Sequence, residues 1–183
     1  MKIWRLEHAS NDYESIIPVN KMTLDEWRSF DGQRKLENWV PIKVTRMEPK
    51  KGLPLGNIAD FNSIMSVLDE KAIKILLPLI ENDVELLPLE FDEINPLYAI
   101  NVIDVIDAID YEKSEYKTFS DGNRIMRFMK YAFREEAIAG KHIFKLIDEP
   151  KNYPFVSDTF KDAGINAGLE GFKFRLVWDS EEK

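Results

Sequence analysis

Residues 95–111 read NPLYAINVIDVIDAIDY, the most apolar run in the chain, punctuated by aspartates at positions 104, 107 and 110. Pro96 fixes the start, because the residue before a proline is pushed out of helical geometry. Tyr98, Ile100, Val102 and Asp104 alternate with Ala99, Asn101 and Ile103, the period of a strand. Beyond that the repeat becomes three: Ile103, Ile106 and Ile109 against Asp104, Asp107 and Asp110. Neither a strand nor a long helix keeps that spacing. The expectation is a central strand at about 97–104, followed by a tight turn of helix or an irregular exit.

Working backwards, VELLPLEF at 84–91 is a further strand. Before it, Asp69 caps a helix in which Ala72, Ile73, Leu76, Leu77 and Ile80 share one face. Pro78 should kink or shorten its last turn. Residues 64–68 suggest a short strand, and 48–57, with two prolines and two glycines, a loop. Residues 39–47 read as a strand that Pro41 pushes towards a sheet edge. Thr23 and Glu26 form a capping box ahead of a short helical segment. Residues 9–23 read as a loop and residues 1–6 as the first strand.

Working forwards, 111–123 is polar and ends in the turn signal Asp121, Gly122, Asn123. Residues 124–133 and 142–147 read as strands, 155–156 is extended, and Ser157 caps a second helix. Residues 171–178, GFKFRLVW, close the chain, with Phe172, Phe174, Leu176 and Trp178 expected on one buried face. The fold class is α+β: a mostly antiparallel sheet of about six to eight strands. Two main helices, near 69–80 and 157–166, cover it in a single domain over 1–183.

The chain has 183 residues, a formal net charge of −8 and no cysteine. Disulfides, thiolate zinc sites and a cysteine nucleophile are therefore excluded. Phosphate binding needs lysine and arginine, so nucleic acid and anionic membrane are poor partners for so acidic a protein. No stretch approaches the ~20 apolar residues of a membrane span. The N-terminal segment lacks the apolar core of a signal peptide. A cytoplasmic protein is expected.

Catalytic signatures are absent. GLPLGN at 52–57 fits neither a P-loop nor a dinucleotide fingerprint. His8 and His142 stand alone in sequence, with no nucleophile or orienting group beside them. The aspartate triplet lacks the alternate ligands, glycine and final glutamate of a calcium loop. No metal or cofactor is expected.

Charge is unevenly spread. Residues 81–115 hold eleven acidic residues and one basic, whereas 124–145 hold six basic and two acidic. Glu90, Asp92 and Glu93 in the turn before the central strand are the candidate partner-binding residues, with Asp107, Asp110, Glu112 and Glu115 in its exit. The same run would also serve as a solvated face that keeps the protein soluble.

The helix before VELLPLEF is followed by YAINVI at 98–103, with VIDAID and Ser114 downstream. GKHIFKLID at 140–148, FVSDTFKDAG at 155–164 and GLEGFKFRLVW at 168–178 come next. The order of these segments resembles a family of bacterial immunity proteins from polymorphic toxin systems. The resemblance covers roughly 60–179. It implies an α+β fold, a cytoplasmic location and a cognate toxin as protein partner. It brings no active-site residues. The expected function is non-enzymatic: binding and neutralising that toxin by occlusion. A small hydrolase with a carboxylate-lined pocket and a homo-oligomeric structural module stay open as rivals.

Overall fold

The computed structural model describes residues 1–62, 65–93, 95–122 and 124–182. Ile64 and Asn123, which the sequence assigns to a strand and a turn, lie outside the described residues. The chain opens with β1 (Lys2–His8), β2 (Ile16–Pro18), α1 (Leu24–Arg28), β3 (Ile42–Arg46), β4 (Ile58–Phe61), β5 (Met65–Asp69) and α2 (Glu70–Ile80). It continues with β6 (Val84–Phe91), β7 (Leu97–Val102), β8 (Val105–Ile106), β9 (Glu115–Thr118), β10 (Ile125–Lys130) and α3 (Glu135–Ile138). It ends with β11 (Ile143–Leu146), β12 (Phe155–Ser157), α4 (Asp158–Asn166) and β13 (Phe172–Asp179).

The α+β class holds, but the single, mostly antiparallel sheet is corrected to mixed sheets. Six strands close into a barrel in the order β2-β3-β6-β7-β5-β4. Five more form a sheet in the order β13-β1-β12-β11-β8, and β9 and β10 make a separate hairpin. Three pairings are parallel among the described residues: β2 with β4, β3 with β6, and β8 with β11. The strands number thirteen there rather than six to eight, because β2, β4, β8 and β9 are too short to print a pattern.

Period-two alternation builds the barrel. Along β7, Leu97 and Ala99 point into the barrel core with Phe61, Val67 and Leu87. Ile100 and Val102 point outwards, against Ala72, Leu76 and Ile80 of α2. The strand ends at Val102 rather than 104, and its exit is irregular, with no helical turn. Asp69 caps α2 by accepting the Ala72 amide at 2.8 Å. Pro78 lies inside that helix, which runs on to Ile80. The capping box of Thr23 and Glu26 is complete.

The closing strand departs from expectation. Phe174 pairs with Leu6 and Leu176 with Trp4, but Trp178 pairs with Ile3, leaving Val177 as an extra residue. This β-bulge reverses the faces. Phe172 and Phe174 lie on the α4 side. Trp178 turns to the opposite face, against Phe133. Leu176 is 38% exposed, so the four side chains do not share one buried face.

Barrel and sheet meet at glycines. Gly171 has φ +94°, and a Cβ there would stand 2.1 Å from the Ile58 carbonyl oxygen. Gly56 lies against it, where a Cβ would come within 2.6 Å of the Gly171 Cα. Gly52 also has positive φ, +68°, but faces open space. Gly52→Ala should therefore cost about 1 kcal/mol, the left-handed backbone penalty alone. Gly171→Ala should cost at least about 3 kcal/mol, since a backbone clash adds to that strain. Urea titration of the two variants measures the difference; equal losses would show that the glycine contact is not a constraint.

Candidate functional site

The seven acidic residues fall into two groups. Glu90, Asp92 and Glu93 stand at the end of β6 on the barrel. Lys43 of β3 faces Glu90 at 3.9 Å and Asp92 at 3.2 Å. Glu93 is clamped by Arg46, whose Nε and Nη2 donate to its two oxygens at 2.6 and 2.9 Å. That bond holds the Glu93 carboxyl below its usual range. The second group follows β8. Asp107 pairs with Arg134 at 3.2 Å and Asp110 with Lys113 at 2.7 Å. The Lys113 bond holds Asp110 low as well. Glu112 and Glu115 are exposed. The aspartate triplet thus faces three different cations, since Asp104 meets Lys141 at 2.7 Å. The charge excess legible in the sequence is largely neutralised locally by lysines and arginines of distant or adjoining segments.

The histidines are less isolated than their sequence positions suggest. His142 Nδ1 hydrogen-bonds Ser157 Oγ at 2.9 Å, beside the cap of α4. His8 ends β1 and faces the barrel. Its Nε2 lies 3.0 Å from Ser66 Oγ, and its Nδ1 lies 3.5 Å from Asp60 Oδ1. Tyr153 donates its hydroxyl to Asp60 at 2.6 Å, and its ring meets the imidazole edge-on at 5.0 Å. Serine, histidine and aspartate stand in the atom order of a hydrolase triad. Access decides its use. Ser66 is 2% exposed, and the cavity it borders is about 10 Å³. That is room for about one water, not for an acyl group. The cluster instead ties β1 to β4 and β5. Sequence reasoning missed it because its members come from four separate segments.

A second buried polar site lies at the barrel mouth. Glu85 and Asn101 are cross-strand partners pointing inwards. Glu85 accepts from the Lys35 amide at 2.7 Å and from Asn101 Nδ2 at 3.0 Å. The same Asn101 nitrogen donates to the Gln33 carbonyl at 2.8 Å. These bonds pin residues 33–36 beside an open groove of about 360 Å³ lined by Phe30, Arg34, Trp39 and Val40. Nearby, the buried Lys145 donates to the Phe30 carbonyl at 3.1 Å, and burial pushes its amine down to about 8.

The chain belongs to the Immunity protein family (Imm11), whose model matches residues 83–179, just over half of its length. All seven acidic candidates lie within that segment. The match starts at residue 83, so 60–82 fall outside it. No curated protein matches the chain. No helix among the described residues is long and apolar enough to cross a membrane.

Burial lowers the His8 pKa from its ordinary 6.5, against the smaller opposing pull of Asp60 and Glu7. The unfolded chain therefore takes the proton first. The stability conferred by neutral His8 is complete above pH 6.5 and declines as pH falls from there towards the lower folded value. His8→Gln retains a polar group for Ser66 but cannot titrate. Urea titrations between pH 8 and 5 should show wild type losing stability relative to His8→Gln below pH 6.5. Parallel curves would contradict the assignment.

Proposed function

We propose that this chain is a cytoplasmic, non-enzymatic immunity protein that binds a cognate toxin domain and blocks it by occlusion. The observation that carries the reading is the family match over 83–179. Two features support it. The matched segment supplies both acidic groups, and Glu90, Asp92, Glu112 and Glu115 are exposed. The triad-like cluster around His8 is sealed, which takes away the feature that most favours a hydrolase.

On this reading the acidic groups meet a basic toxin surface. Exposed charges of that kind steer encounter and fix orientation more than they add affinity. Asp92 and Glu112 suit a test better than Glu93, whose clamp on Arg46 joins β3 to the turn after β6.

The double reversal Asp92→Lys with Glu112→Lys should leave the melting temperature unchanged, since exposed charges contribute little to folding. Association with the product of the gene immediately upstream, taken as the cognate toxin, should slow by roughly three- to tenfold at low ionic strength. The salt dependence of the rate should flatten as well. Stopped-flow mixing at two ionic strengths, beside a growth-rescue assay, makes the measurement. An unchanged rate and salt slope would assign the acidic groups to solvation alone, and failure of the wild-type chain to bind would remove the toxin reading.

A further inference from the structure

Among the described residues, two strands that each lack a partner on one side wall a single cleft. β13 is the outer strand of the five-stranded sheet, and β10 is paired there only with β9. The cleft between them measures about 410 Å³. Residues 126–131 line it without a break on one side, and residues 175–177 on the other. Bulges in both strands break the every-second-residue pattern of a sheet face, so consecutive residues of each reach the cleft. A second hollow of about 530 Å³ shares Lys130, Tyr131 and Val177 with it and extends it.

The floor is rigid. Arg5 donates to the Tyr131 hydroxyl and to Glu149, both at 2.8 Å. Its guanidinium also lies over the Phe155 ring at 4.5 Å. The walls are cationic and adaptable. Arg127 and Lys130 stand on the β10 side, and neither has an ion-pair partner among the described residues. Met126 and Met129 beside them are 51% and 56% exposed. In a protein of net charge −8, this is a local positive slot with flexible apolar side chains at its rim.

We propose that the cleft takes an extended acidic segment of the toxin as an added strand, a proposal that rests on the toxin-binding reading above. Unpaired backbone groups along β10 and β13 supply the hydrogen bonds of strand addition. Arg127 and Lys130 select carboxylates on the incoming strand. The same cations discourage a second copy of this chain, because like charges on an edge oppose edge-to-edge pairing.

Hydrogen exchange of the full chain, free and saturated with the product of the gene immediately upstream, taken as the cognate toxin, tests the proposal. Amides at 126–130 and 175–177 should exchange more slowly in the complex. The double variant Arg127→Glu with Lys130→Glu should bind the same toxin at least about tenfold more weakly with an unchanged melting temperature. If the wild-type chain binds and protection falls only elsewhere, the cleft is overturned and the toxin reading survives. If the wild-type chain does not bind, both are overturned. The exchange map on wild type remains decisive should the variant fold poorly.

Discussion

The arrangement depends on one close backbone approach. Gly171, held at φ +94°, lies against Gly56 and the Ile58 carbonyl. Around it the Ile58 amide donates to the Glu170 carbonyl, and the Ala9 amide to that of Gly171, each at 3.0 Å. Three chain directions leave this point: β4 into the barrel, and β1 and β13 into the sheet. A side chain at Gly171 would wedge them apart. With the backbones this close, α2 and α4 lie together over the junction. Their side chains share a core with Ile58 and Leu68 of the barrel and Leu6, Ile143 and Val156 of the sheet. Burial of apolar area stabilises that core. The glycine contact decides that barrel and sheet contribute to it jointly.

Polar groups inside this frame cost free energy unless they are bonded. Glu85 meets that requirement with backbone amides and Asn101, and so fixes the segment over the barrel mouth. At the junction between β1 and the barrel, His8 bonds Ser66 and Tyr153 bonds Asp60, while His8 Nδ1 lies 3.5 Å from Asp60 without a hydrogen bond. The resemblance of three of them to a catalytic relay shows how far geometry alone carries a functional argument. A relay also needs a space beside the nucleophile, and here the apolar residues around Ser66 fill it.

The long amphipathic segments were legible in the sequence. α2 and α4 stand within a residue of their expected starts because Asp69 and Ser157 are local caps that need no tertiary help. β7 and β10 were legible from alternation, and β6 and β11 were expected as strands from their apolar runs. Barrel closure was not, because it depends on parallel pairing of β2 with β4 and β3 with β6, across segments far apart in the chain. β9 is exposed along its whole length and carries no hydrophobic pattern to read. Val177 shows the limit of alternation: one inserted residue sends Trp178 to the opposite face. The acidic stretch is plain in the sequence as a charge run, but its ion partners Lys43, Arg46 and Arg134 come into place only on folding.

Family membership goes with a molecule whose His8 cluster is sealed within and whose charges and strand edges lie outside. On the proposed reading, protection comes from stoichiometric occupation and not from chemistry on the toxin. Titrating a fixed amount of a cognate toxin with this chain, followed by intact-mass analysis of the recovered toxin, tests the claim most directly. Occlusion predicts that toxin activity falls in proportion to added chain and vanishes at an equimolar ratio. It also predicts that the toxin separated from the complex is unchanged in mass and active again. Inactivation by a small fraction of an equivalent, or a changed toxin mass, would contradict it.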